Sequence, residues 1–348
     1  MSNDKRTDLC LAVIAIAIIA VLVAGEIVVY TSDYTDYSAS ASIDGDLVSY
    51  EISATGSKEY SVVVSDNGSH RQTERLYIYQ DDSYKTDYSD VLVAVGAREL
   101  DQAYYIEQLG PTLRYRGIHD IEILDADALR ERLISDAESG QSSTAGLVML
   151  SGAFPSTVYT GSADDPVMKW ISSGGSLFWI GNLIGACYAT HDALVPVEGY
   201  QELFFGAECL NTSGGKAYSE VDSNGYCSAL SLKNNQLAYA VDCSRVTGRT
   251  ALPVGFASDG YSSAALISYG SGMVCVIAGD YSNMQREDLA QIISSGIGPE
   301  SMIIGRAFGT ASGTASGSFH VDAAAGHVSA FIYLGGYYPV YCKAIALS

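Results

Sequence analysis

The hydrophobic pattern changes character three times along the chain. An unbroken apolar run from Leu9 to Gly25 follows Asp4-Lys5-Arg6 and gives way to a polar, Tyr-rich stretch between Tyr30 and Tyr37. A helix needs about 17–25 residues to cross a hydrocarbon core of roughly 30 Å, so residues 9–30 are expected to be a transmembrane anchor. The basic pair precedes the run, and Glu26, Asp33 and Asp36 follow it. The positive-inside rule then leaves residues 1–8 in the cytoplasm and the bulk of the chain extracytoplasmic, a single-pass protein of the cell membrane. A cleaved signal peptide, with Val23-Ala24-Gly25 as a small-residue site, and a filament-assembly helix are the competing readings.

Residues 31–89 then read as a β-region. Tyr60-Ser-Val-Val-Val runs into Ser65-Asp66-Asn67-Gly68, a tight-turn signal, and Leu76-Tyr-Ile-Tyr79 is a second short strand. Residues 298–348 look similar. His327 to Leu334 alternates, with Val328, Ala330, Ile332 and Leu334 sharing a face, before Gly335-Gly336. The small-residue segment Gly309 to Gly317, GTASGTASG, reads either as a flexible link or as a plain strand. The two terminal regions are expected to pair as one small β-sandwich-like module, since each has too few strands to close a core.

Between them, residues 90–297 change period. Asp90 to Val95, Ile121 to Leu124, Gly146 to Leu150 and Ser176 to Ile180 are apolar strands, as in a sheet buried on both faces. Helical spacing separates them: Leu100, Ala103 and Tyr104, then Leu129 and Leu133 behind the candidate cap Asp125. Asp165-Pro166 is a cap followed by an N1 proline, and Val167, Trp170 and Ile171 face inward. Ala264 to Tyr269 and Met273 to Ala278 form a hairpin across Gly270-Ser271-Gly272, and a last helix carries Leu289, Ile292 and Ile293. The expected fold is α/β: a three-layer, mainly parallel sheet inserted between N- and C-terminal β-strands, behind an N-terminal transmembrane helix.

Two local patterns carry a family resemblance. Leu147-Val-Met-Leu-Ser-Gly152 is followed by a helix and then by Gly174-Gly-Ser-Leu-Phe-Trp-Ile-Gly-Asn-Leu-Ile-Gly185, and Met273-Val-Cys-Val-Ile-Ala-Gly-Asp280 comes later. In this order the middle resembles the class I glutamine amidotransferase-like superfamily, in its non-catalytic, flavodoxin-like branch. The resemblance implies an elbow after the second strand, where active members present a cysteine nucleophile and this chain has Asn182. Active members also place a His and an acid after the later strand, where this chain reads Gly279-Asp280-Tyr281. Both halves of the catalytic pair are missing from those positions, so the resemblance implies a fold reused without amide hydrolysis.

Composition narrows the partners. A formal net charge of −21 repels phosphate backbones, which argues against nucleic acid. Beyond Cys10, the cysteines Cys187, Cys209, Cys227, Cys243, Cys275 and Cys342 are disulfide candidates in an exported chain. No CxxC, EF-hand, HExxH, P-loop or GxSxG pattern occurs, so no metal or cofactor is expected. Asn67 and Asn211 head glycosylation sequons. Tyr77 and Tyr79 share a strand face, and Tyr337, Tyr338 and Tyr341 cluster near the C-terminus. Exposed tyrosines there would bind an envelope protein or glycan.

These observations favour a membrane-anchored, non-enzymatic binding or scaffold protein of the cell envelope, with homo-oligomers possible. Two alternatives stand beside it. One is an exported hydrolase with a displaced site at Cys187, His191 and Asp192, where Cys and His at i, i+4 would share a helix face. The other is a surface-filament subunit.

Overall fold

The computed structural model describes residues 37–68, 71–84, 102–211, 226, 239–255, 257–258, 261–278, 286–322, 327–335 and 341–347. The apolar run 9–30, the expected strand Asp90 to Val95, Tyr337 and Tyr338 lie outside them.

Twelve strands form two large sheets. In chain order they are β1 (Tyr37–Asp44), β2 (Leu47–Asp66), β3 (Arg75–Tyr79), β4 (Asp120–Leu124), β5 (Ala145–Met149), β6 (Ser176–Ile180), β7 (Ala251–Pro253), β8 (Ala264–Tyr269), β9 (Gly272–Ile277), β10 (Met302–His320), β11 (Val328–Leu334) and β12 (Tyr341–Leu347). The principal helices are α1 (Gln102–Tyr115), α2 (Ala126–Ser139), α3 (Pro166–Ser172), α4 (Tyr200–Phe205) and α5 (Arg286–Ser295).

The first sheet runs β7-β8-β9-β6-β5-β3-β4. From β9 to β4 neighbouring strands are parallel, while β8 and β7 join antiparallel. Alternation sends side chains to two cores. Tyr77, Leu147, Trp179 and Val276 pack with α2 and α3, whereas Ile78, Val148, Phe178 and Cys275 pack with α1 and α5. Both faces are covered, which is why these strands read as continuous apolar runs. Local signals are honoured at several boundaries. The Asp125 side chain accepts from the Ala128 N–H at the start of α2, and Gly140 ends that helix in the left-handed region at φ 73. Asp165 precedes α3, yet its carboxylate accepts from Thr160 and Ser162 in the preceding loop rather than from the helix.

The second sheet is antiparallel. Along one edge of β2 lies β10. Along the other edge β1 pairs with Leu47–Ala54 and β11 with Tyr60–Asp66, and β12 extends from β11. Between Ser312 and Gly313 the β2–β10 register jumps from Ser57 to Ala54, which loops out Thr55 and Gly56. The ribbon bends sharply there, and Gly56 and Gly313 supply the left-handed backbone at φ 73 and 87. The bend folds one sheet face onto itself around a core of Ala39, Val48, Ile52, Val62, Val64, Ala330 and Ile332. The contact is close: a Cβ at Gly305 would stand 2.8 Å from the Phe319 ring and 2.7 Å from Val321.

GTASGTASG is therefore the middle of a 19-residue strand. Gly309 and Gly317 fall on the concave face, while Gly313 is exposed at the bend. Gly309 pairs with Tyr60 and Gly317 with Tyr50, and a Cβ at either glycine would meet the tyrosine hydroxyl at 2.5 Å. The two tyrosines then meet across the fold, ring centroids 5.8 Å apart and hydroxyls 3.0 Å apart. Aromatic side chains laid over cross-strand glycines hold the register of a strand that has little else to pack.

Several expectations are corrected. The chain is dominated by strands, its seven-stranded sheet is mixed, and the terminal strands form one curled antiparallel sheet rather than a three-layer parallel fold with a small sandwich attached. The first strand of the parallel set is β3, at Arg75–Tyr79; β11 keeps Val328, Ala330, Ile332 and Leu334 on one face, and its opposite face is buried as well. Phe331 points from β11 into the core beneath α5, while Ala330 and Ile332 fill the curled sheet. No helix among the described residues is long and apolar enough to cross a membrane, so the single-pass membrane assignment finds no spanning helix and is not carried forward.

Candidate functional site

In an open α/β sheet, ligands approach the carboxyl ends of the strands where neighbouring connections diverge. Here β3 lies between β4 and β5, and the chain leaves β3 toward β4 before crossing to β5. Just beyond β3, the segment Gln80 to Tyr84 builds the most organised polar cluster at this edge. Asp81 Oδ1 accepts from the Ser83 N–H at 2.9 Å and the Ser83 hydroxyl at 2.6 Å, and Oδ2 accepts from the Ala126 N–H at the head of α2. Burial works to raise the Asp81 pKa, but those hydrogen bonds and nearby His191 outweigh it and hold the carboxyl below its ordinary value.

His191 reaches this cluster from a separate hairpin, made of Cys187–Ala189 and Leu194–Pro196. A tight turn holds it: Thr190 N–H donates to Ala193 O, and the Thr190 hydroxyl accepts from the Ala193 N–H. The imidazole lies against Tyr84, ring centroids 4.4 Å apart, with Nδ1 2.9 Å from the Ser83 carbonyl oxygen. A carbonyl only accepts, so Nδ1 carries the proton and Nε2 of the neutral ring keeps its lone pair. His191 is an exposed residue. Below it, Tyr79 is buried with no hydrogen-bond partner for its hydroxyl; burial first, then Asp81, push its pKa upward.

The sequence-derived candidates are dispersed. Cys187 and His191 belong to a hairpin, so the helical i, i+4 adjacency does not arise: Cys187 sits in the core and His191 on the surface. Burial drives the Cys187 thiol up to about 11, the opposite of an activated nucleophile. Asp192 is exposed, and its backbone N–H donates to Thr190. Asn182 is 4% exposed beneath an aromatic cluster of Phe154, Tyr159, Trp179 and Phe204, and Trp179 Nε1 donates to its carbonyl at 2.6 Å.

Tyr77 and Tyr79 are buried in the sheet's core, and Tyr341 is half-buried against Tyr37, centroids 6.2 Å apart. Cys187, Cys209, Cys243 and Cys275 form no disulfide, which corrects the disulfide expectation for them. Cys227 and the Cys342 side chain lie outside the described residues. Asn67 is also inaccessible as a glycan acceptor: it is 1% exposed, and its amide donates to Ser329 at 2.7 Å. Asn211 sits half-buried in a two-residue strand. Among the described residues no cluster of His, Cys, Asp and Glu has metal-binding geometry. Sequence reasoning selected His191 for the wrong neighbour and passed over Ser83 and Tyr84; the Asp81-Asp82-Ser83 run was the available signal.

No family model matches the chain, and no curated protein matches it. Solved structures similar to it include two glycosidases. The exo-β-1,4-mannosidase Op5Man5 from Opitutaceae bacterium strain TAV5 matches at 13% identity and TM-score 0.30, over 63% of this chain and 33% of its own. The β-galactosidase from Bacillus circulans sp. alkalophilus matches at 12% identity and TM-score 0.37, over 76% of this chain and 36% of its own. The chain thus spans about a third of the length of each. The expected amidotransferase-like resemblance finds no support in these comparisons and, with the non-enzymatic scaffold built on it, is not carried forward.

Proposed function

We propose that the chain is a hydrolase whose reaction takes place at the carboxyl edge of β3 and β5, with His191 as general base. The observation that carries this reading is the imidazole itself: its tautomer is fixed by the Ser83 carbonyl, its ring packs against Tyr84, and it is an exposed residue close enough to Asp81 to influence that carboxylate. A base so placed can take a proton from a water molecule attacking a bound substrate, and Asp81 stabilises the imidazolium that results. The Cys187 thiol takes no part, because it is buried and protonated at neutral pH.

The test is a panel of chromogenic aryl glycosides, phosphates and esters, with glycosides first because an envelope glycan is among the expected partners. Turnover of one class should fall by roughly 100-fold in His191→Gln, a typical loss for a general base. Gln keeps a donor for the Ser83 carbonyl, so the fold should persist by circular dichroism. Turnover that survives His191→Gln, or no turnover across all three classes, overturns the proposal.

A further inference from the structure

The outer edge of β10 is an unusual surface. Among the described residues this 19-residue strand is paired on one side only, by β2, with a single further backbone bond from Asp322 N–H to Ile304 O near its beginning. From Ala307 to Phe319 it holds no charge and no proline, and Thr310, Ser312, Thr314, Ser316 and Ser318 are exposed on its convex face. Proteins usually block an exposed edge with charge, proline or a very short strand, because its unpaired N–H and C=O groups recruit another strand. None of those devices is present here. A bulge is present instead, and its position is informative.

The bend at Gly313 is also the centre of a sequence symmetry. Read in both directions from Gly313, the strand pairs Ser312 with Thr314, Ala311 with Ala315, Thr310 with Ser316 and Gly309 with Gly317. Each pair matches a small residue with its like and puts both members on the same face, hydroxyls convex and alanines concave. A two-fold axis normal to the sheet, midway between the Gly313 residues of the two copies, relates the bend of one strand to the bend of an antiparallel neighbour. A straight strand from any other protein would lose its pairing where β10 turns.

We propose that two copies of this chain associate through their β10 edges in antiparallel register centred on Gly313, continuing the curled sheet across the dimer. Nine facing residues, Gly309 to Gly317, would exchange about 8–10 backbone hydrogen bonds in the alternating antiparallel pattern. The net charge of −21 opposes the approach, so association strengthens as salt screens it.

The register gives a direct test on the full chain by sedimentation equilibrium between 50 and 500 mM salt. In the proposed dimer Thr310 of one copy faces Ser316 of the other. Thr310→Lys/Ser316→Lys puts like charges opposite one another at two places, while within one chain these lysines lie across from Glu59 and Glu51 and leave the monomer's fold undisturbed. The wild type should dimerise, more tightly at higher salt, and the Lys/Lys variant at least tenfold more weakly. Mixing it with Thr310→Glu/Ser316→Glu, in which Glu59→Gln and Glu51→Gln remove the like charges across the strand pair within the chain, should restore 1:1 dimers that neither variant forms alone. A wild type monomeric throughout, a Lys/Lys variant that associates like the wild type, or a mixture that stays monomeric overturns the proposal.

Discussion

Tyr77 was a candidate for ligand contact, and the structure makes it a core post, which a double-mutant cycle with Asp136 can test. Tyr77 is fully buried, and its hydroxyl donates to Asp136 Oδ2 at 2.8 Å. Asp136, itself 2% exposed, also takes Arg75 Nη1 at 3.3 Å. Burial, and then the Asp136 hydrogen bond, push the Tyr77 pKa well above its ordinary value, so the phenol stays a donor at any working pH. Asp136→Ala strips the acceptor from a buried hydroxyl, which costs about 1–3 kcal/mol. It also breaks a partly buried ion pair. That second loss is discounted to about 1 kcal/mol, because the Arg75 side chain keeps 22% exposure and a hydrogen bond to Gln141 O.

The sum is about 2–4 kcal/mol for Asp136→Ala. Tyr77→Phe removes the donor, leaves Asp136 with Arg75 and should cost about 1–2 kcal/mol. The two are in contact, so the double variant should recover about 1–2 kcal/mol relative to their sum. Urea unfolding followed by far-UV circular dichroism, with the m-value checked for constancy, reads all four corners. An Asp136→Ala cost below about 1 kcal/mol, or strict additivity, would refute the buried network and return Tyr77 to the surface.

Two further outcomes follow from the packing. Gly309→Val places a side chain where the Tyr60 hydroxyl already lies, so it should cost about 1–3 kcal/mol and lower the melting temperature, whereas Ser316→Val on the convex face should be nearly neutral. Burial lifts the Cys187 and Cys209 thiols to about 11 and about 12, so iodoacetamide at pH 8 should label both slowly until denaturant is added, while half-exposed Cys243 reacts first. Mass spectrometry of the labelled peptides checks the order, and rapid native labelling of Cys187 would contradict its placement in the core.

Local chemistry was legible from the sequence wherever the cause was local. Asp125 caps α2 because a carboxylate three bonds from the backbone can reach the orphan N–H of Ala128, and that needs no partner from elsewhere. The β8–β9 hairpin follows from Gly270-Ser271-Gly272, and the apolar runs of β5 and β6 announce strands covered on both faces. The same runs do not say which strand lies beside which, so β3 was read with the terminal strands although its Leu76 and Ile78 needed the cover of α1 and α5.

What only the tertiary structure decided were the properties that depend on residues far apart in sequence. GTASGTASG is a strand because Tyr50 and Tyr60, some 250 residues earlier, lie across its glycines, and no local propensity predicts that. Cys187 and His191 are four residues apart in either conformation; a helix would have joined them, and the hairpin separates core from surface. His191 became a candidate base only when the chain brought Ser83 and Tyr84 beneath it from 108 residues away. Hydrogen bonds and sterics within a few residues determine the elements, while pairing and burial across the whole chain determine which side chains meet.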